Sequence, residues 1–199
     1  MVSAAGTEGA GAATAPAARV GERAPLLDLH RGGGGRVTLE GLRGRPAALL
    51  FSRYLGCPYC RSSIARLRAE HDRFAERGAA LVLIVQSAPA RVDEAAAALP
   101  FTLAADPERV AYAAWGVTAD RLLRSTLRTL TVGGALSAVR AALRHGHGRF
   151  EGDELQRPAE FAVDEEGTVL YAKLHGGVAD GFDVEALLRA IDARPKAAR

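Results

Sequence analysis

The stretch "LLFSRYLGCPYCRSSIARL" occupies residues 49–67 and holds both cysteines of the chain. The apolar run over residues 46–54 enters a turn and reads as a buried strand. Beyond the turn, Cys60, Ile64, Leu67, His71 and Phe74 recur at spacings of 4, 3, 4 and 3, which is one face of a helix over residues 58–77, stopped by Gly78. His71 on that face reads as a packed core histidine. A strand, a turn and a helix put Cys57 at the N-cap and Pro58 at the first helical position, where its missing N–H costs nothing. The free N–H groups of the first turn and the positive end of the helix dipole then face the Cys57 sulfur and favour thiolate. Arg53 and Arg61 are close in sequence and add positive charge. Cys60, one turn on and on the apolar face, reaches Cys57 to close a disulfide. Cys57 is thus the expected attacking thiol and Cys60 the resolving one, with Pro58 and Tyr59 shaping the turn between them.

Two other uses of such a pair stay open. A structural zinc site needs four ligands, and His30, His71, His145, His147 and His175 form no second pair at a standard spacing. A packing role would leave the pair inert. No metal and no organic cofactor is expected.

Outward from the thiols, residues 21–44 read as two short strands around the turn at Gly32, Gly33, Gly34 and Gly35. No Lys-Ser/Thr follows these glycines, so a phosphate loop is not expected. Residues 80–86 form a second buried strand, followed by a helix over "VDEAAAAL". A short strand at "FTLAA" follows, then Asp106 as a cap with Pro107 in the first turn of a helix running to Trp115. "AEFAVDEEGTVLYAKL" is a hairpin turning between Asp164 and Gly167, and "DVEALLRAI" is a closing helix. This order implies one α/β domain, a mixed sheet flanked by helices, over residues 20–192. Residues 1–19 read as a disordered leader and residues 193–199 as a flexible basic tail.

The chain has 199 residues, 48% of them hydrophobic, enough to bury one core without staples. Its net charge of +3 comes from basic residues interspersed with 23 acids, which gives no reason to expect nucleic acid. No run is long and apolar enough to span a bilayer, and the first twenty residues carry no export signal. A cytoplasmic location is the expectation.

"FSRYLGCPYCR" resembles the active-site turn of the thioredoxin superfamily, and "CPYC" is the dithiol familiar from glutaredoxins. The segments "VGERAPLLDL", "VTLEGLRGRPAALLF", "FTLAADPERVAYAAWGV" and "PAEFAVDEEGTVLYA" follow the order seen in the peroxiredoxin-like branch of the alkyl hydroperoxide reductase/thiol-specific antioxidant superfamily. The resemblance covers residues 20–191. It implies a thioredoxin-like fold with Cys57 as nucleophile and Cys60 as second thiol. It also implies that Pro158 is a cis-proline packed against the dithiol. The chain departs from the peroxiredoxin pattern at Tyr54, where Thr or Ser is usual, at Leu50, where Pro is usual, and at Pro158, where Arg is usual, with Arg157 one step earlier. Arg53 and Tyr54 are the candidates to replace those groups. The thioredoxin pattern is incomplete too, because no acid lies in residues 46–51.

The activity so implied is that of a thiol oxidoreductase cycling Cys57 and Cys60 between dithiol and disulfide. Its substrate is a disulfide or a hydroperoxide, and its reductant a dithiol protein or glutathione. A non-catalytic binding module and an iron–sulfur cluster shared by two copies are the alternatives.

Between residues 121 and 150, Arg121, Arg124, Arg128, Arg140, Arg144 and Arg149 occur with no acid, and Val132, Leu136, Val139 and Leu143 keep helical spacing. This helical insertion, about residues 119–150, is expected to pack on the domain with its Arg side chains outward. A lid or homodimer contact near the thiols comes next, and a membrane face last. His145 and His147 read as a Gly-rich loop rather than a metal site.

Overall fold

The computed structural model describes residues 18–119, 143 and 148–194. Along the chain come β1 (Asp28–Arg31), β2 (Arg36–Thr38), α1 (Leu39–Leu42), β3 (Ala47–Phe51), α2 (Pro58–Ala75), β4 (Ala80–Val85), α3 (Pro89–Ala96), β5 (Thr102–Ala105), α4 (Val110–Ala114), β6 (Ala159–Val163), β7 (Val169–Leu174) and α5 (Val184–Asp192). The strands form one mixed sheet in the order β2-β1-β5-β4-β3-β6-β7. β3 and β4 are parallel, with Ala47 opposite Ala80 and Phe51 opposite Ile84, while β6 runs antiparallel to β3 on its other side.

β3 is buried along its whole length because both of its faces are covered. Ala47, Leu49 and Phe51 join Tyr112 of α4 and Trp115 at its C-cap on one face; Ala48 and Leu50 join Leu67 and Phe74 of α2 and Leu187 of α5 on the other. Alternation of period two thus divides the core into two layers around the sheet. The consequence for the site is positional. β3 and β4 point their C-terminal ends the same way, and the segments that follow them are tied together: Ser52 N–H donates to Ile84 O at 2.9 Å and Gln86 N–H to Arg53 O at 2.7 Å. The buried Tyr112 hydroxyl donates to the carbonyl oxygens of Ser52 and Ile84.

Several boundaries differ from the sequence expectation. α3 begins at Pro89, ahead of "VDEAAAAL", since Pro is well placed in a first turn. The short helix α1 was not expected; the Thr38 hydroxyl caps it, accepting from Gly41 N–H at 3.0 Å. Asp106 does cap α4, but across an intervening turn: its carboxylate accepts from Val110 N–H at 2.9 Å and Ala111 N–H at 2.8 Å, and Arg109 takes a left-handed φ of 58°. Pro107 therefore lies in that turn and not in the helix. Arg194 is held by Glu165 at 2.8 Å. The leader up to residue 17, the insertion from 120 to 147 apart from Leu143, His145, His147 and the tail from 195 lie outside the described residues. No helix among the described residues is long and apolar enough to cross a membrane.

Candidate active site

Cys57 sits at the N-cap of α2 with Pro58 in the first turn, and its Sγ accepts from the Cys60 N–H at 3.4 Å. Where β3 ends, Ser52, Arg53 and Tyr54 turn the chain, and Cys57 N–H donates back to Tyr54 O at 3.2 Å. This short turn brings Arg53 over the thiol: its Nη2 donates to Cys57 Sγ at 2.9 Å. The guanidinium also lies 5.7 Å from the Tyr59 ring centroid, in cation–π range. Arg53, Tyr59 and Cys60 thus lie together around Cys57. Arg61 is not gathered; it points outward and is exposed.

Both thiols are reduced and enclosed, Cys57 with 0% and Cys60 with 4% of its surface exposed; Arg53 has 6%. They titrate as a pair. The Cys60 thiol is lowered to about 6: burial opposes its ionisation, but hydrogen bonds from Cys57 and Ser52 and the charge of Arg53 outweigh it. Cys57 is pushed up by its hydrogen bond to Cys60, by burial and by the Cys60 charge, against Arg53 and the Cys60 N–H. One shared proton links these opposite shifts, so the property of the pair is one early and one late ionisation. Passing that S–H from Cys57 to Cys60 moves the negative charge onto Cys57, where Arg53 Nη2 and the α2 N-terminus already point.

Arg53 has further partners that the sequence did not reveal. Its Nη1 donates to the Glu154 backbone oxygen at 2.7 Å and lies 3.4 Å from Glu154 Oε2. Tyr54 OH donates to the other Glu154 oxygen, and burial together with this bond pushes the phenol well above its ordinary value. Residues 148–156, which carry Glu154, lie against the thiol turn. Gly148 N–H donates to Gly56 O at 2.8 Å, and a Cβ on Gly56 would stand 2.3 Å from Arg149 O, so only glycine allows this approach. About 100 residues separate Arg53 from Glu154. The acids of "EGDE" directly after an Arg-only stretch were the only hint in the sequence.

The Arg53 Nε–H, also buried, has no partner among the described residues. It shares one edge of the planar guanidinium with Nη2, which is on the sulfur. An unused donor therefore lies beside the thiol.

Pro158 lies beside Cys60, and its peptide bond is not the cis bond that the resemblance implied. It borders a hollow of about 10 Å³, room for about one water, together with Arg53, Tyr59, Cys60 and Phe182. The described residues contain no cis peptide bond, so Arg157–Pro158 is trans. Pro158 leads directly into β6, and its carbonyl accepts from His175 N–H at 3.1 Å, an extended arrangement that trans geometry suits. Arg157 turns away, donating to the Thr118 hydroxyl at 2.6 Å. His71 is a quarter exposed on α2 beside Asp72 and is not fully packed as expected. It borders a wider hollow of about 440 Å³ at the opposite end of the strands, with Arg31 and Arg45 and no thiol. Among the described residues no cluster of His, Cys, Asp and Glu is fit to hold a metal.

Comparison with solved structures supports the same architecture. The reduced 2-Cys peroxiredoxin of Plasmodium vivax superposes with a TM-score of 0.63 at 21% identity, over 87% of this chain and 80% of that one. The peroxidoxin BcpB of Mycobacterium tuberculosis gives 0.62 at 17% identity, over 90% and 99%. The bacterioferritin comigratory protein of Xanthomonas campestris gives 0.60 at 20% identity, over 84% and 90%. At these identities the likeness establishes a thioredoxin-like fold. A search of curated protein sequences found no match. The sequence profile of the AhpC/TSA family matches residues 20–172, from before β1 into β7, and includes both thiols. The chain belongs to the AhpC/TSA family and is a thiol oxidoreductase of that type.

Proposed function

We propose that the protein reduces a small hydroperoxide with Cys57 and regenerates itself through a Cys57–Cys60 disulfide. The observation that carries this reading is the Arg53 guanidinium on the Cys57 sulfur, with an Nε–H on the same edge that has no partner among the described residues. The Cys57 thiolate attacks one peroxide oxygen; the S–O bond forms, the O–O bond breaks, and the electron pair leaves on the alkoxide or hydroxide. Arg53 donors stabilise that charge as it develops, and the leaving oxygen takes up a proton to become alcohol or water. Cys60, as thiolate, then attacks the Cys57 sulfenic acid and expels hydroxide, leaving the disulfide. A dithiol protein or two molecules of glutathione return it to the dithiol by exchange.

Disulfide exchange as the first step is the second reading, favoured by the early ionisation shared by the two thiols, which makes a good leaving group. Stopped-flow reaction of the reduced protein with hydrogen peroxide separates the two. The proposal expects a rate far above that of a free thiolate, a product lighter by two hydrogens, and no rate in Cys57→Ser. A rate equal to that of a free thiolate refutes the peroxidase and leaves exchange.

A further inference from the structure

Nothing reaches Cys57 in the described conformation, because none of its surface is exposed. Residues 148–156 lie against the turn that carries it and are tied at four places to that turn and to the segment that follows β4 beside it. Gly148 N–H holds Gly56 O; the Ser87 hydroxyl donates to Glu151 and accepts from Leu55 N–H at 3.0 Å; Asp153 N–H donates to Gln86 Oε1 at 2.7 Å; and Glu154 receives Arg53 and Tyr54. Only the last tie involves the group that touches the sulfur. Arg53 divides its donors, Nη2 to Cys57 and Nη1 to Glu154. The Glu154 side-chain oxygens accept from Arg53, at 3.4 Å, and from the Tyr54 hydroxyl. A carboxylate of the protein itself thus holds the Tyr54 hydroxyl and competes with the sulfur for the Arg53 charge.

We propose that Glu154 is the positioning residue of this site: it draws Arg53 partly off the Cys57 sulfur and latches residues 148–156 against the thiol turn, and an acceptor reaches Cys57 by taking its place. This rests on Cys57 being the attacking thiol, but not on the identity of the acceptor. Arg53 and Cys60 act on the Cys57 thiol directly; Tyr54 and Glu154 bear on Arg53, Tyr59 lies under its guanidinium, Tyr112 of α4 faces Cys60, and Asp180 lines the hollow beside Arg53 and Cys60. Removing the Glu154 carboxylate opens the site and takes its pull off Arg53, whose Nη1 keeps the Glu154 backbone oxygen. The opening raises the reactivity of Cys57 toward a neutral probe, and the released charge of Arg53 moves the midpoint of its pH profile down.

The test is alkylation of the reduced full-length protein by iodoacetamide, in which sulfur displaces iodide, followed from pH 5 to 9 with the modified cysteine identified by peptide mass. Glu154→Gln is expected to react about ten-fold faster at Cys57, the factor that loss of one charge-assisted hydrogen bond allows, and to shift the midpoint of the pH profile downward. Glu151→Gln releases a tie that does not touch Arg53, so it should speed alkylation while leaving the midpoint in place. If Glu154→Gln does not fold, as read by circular dichroism, Tyr54→Phe removes one donor to the same carboxylate and should accelerate alkylation likewise. A folded Glu154→Gln with unchanged rate and midpoint overturns the proposal, as does an equal midpoint shift in Glu151→Gln. The readout needs no peroxide turnover, so a protein that fails as a peroxidase can still pass it.

Discussion

Replacing Arg53 by Gln should split two reactions of the same thiol. Arg53 Nη2 stands 2.9 Å from Cys57 Sγ. Two unit charges at that distance attract by about 6 kcal/mol at an effective dielectric constant of about 20, and by about 1.4 kcal/mol in a water-like medium. The guanidinium charge is spread over three nitrogens and partly offset by Glu154, so the expected rise in the thiol pKa is about 1–3 units. From a first ionisation near about 6, a rise of about two units cuts the thiolate fraction at pH 7 about ten-fold. Intrinsic nucleophilicity rises with pKa at a slope of roughly 0.4–0.5, which returns about six- to ten-fold. Alkylation by iodoacetamide at pH 7 should therefore hardly change, while the midpoint of its pH profile moves up. Peroxide reduction should fall by about 100- to 1,000-fold, because the donors to the leaving oxygen are lost as well. Both rates are read from one stopped-flow preparation, by loss of free thiol. Equal falls in the two rates would mean that Arg53 acts only by keeping the site folded. An unmoved midpoint would mean that the guanidinium is not on the thiolate.

Gly56→Ala places a Cβ 2.3 Å from Arg149 O; overpacking of this kind costs about 1–3 kcal/mol, and a thermal melt should register it together with faster alkylation of Cys57. Wild-type melting behaviour in that variant would show that residues 148–149 do not sit on the turn. Glu160, wholly buried on β6, accepts from Asp183 N–H at 2.7 Å at the start of α5 and lies 3.6 Å from Lys173 and 3.3 Å from His175 Nε2, which is off the line of a hydrogen bond. Glu160→Ala leaves these groups facing an apolar gap and should destabilise by about 3–5 kcal/mol in urea unfolding; a loss under about 1 kcal/mol would remove it as a keystone of α5. The cysteine pair also links stability to pH. Between about 6 and the ordinary thiol range the unfolded chain binds more protons, because the first native ionisation is depressed, so stability rises with pH there by roughly a few kcal/mol; above that range the raised Cys57 reverses the slope. The same urea titration on a Cys57→Ser, Cys60→Ser double variant should lose both slopes, and persistence of either would assign it to other groups.

The sequence by itself determined the local pieces. Residues 49–67 specify strand, turn and helix through period-two and helical spacing, and an N-cap cysteine followed by proline specifies where the sulfur lies relative to the helix N–H groups. These are short-range facts, fixed by backbone geometry within one or two turns, so Cys57, Pro58, Tyr59, Cys60 and even Arg53 were legible. Asp106 shows the limit of such reading: its capping role was visible, but the turn between the cap and α4 was not, because several backbone paths serve the same hydrogen bonds. The partners of the thiol turn came only with tertiary structure. Glu154 reaches Arg53 and Tyr54 across about 100 residues, and nothing in local spacing ranks it above the other acids of the chain. The trans bond before Pro158 was likewise decided by how β6 leaves the site and pairs with β3 and β7. Burial and long-range pairing depend on which surfaces the closed sheet brings together. They also make the difference between a thiol that is chemically able and one that is enclosed beneath a carboxylate latch.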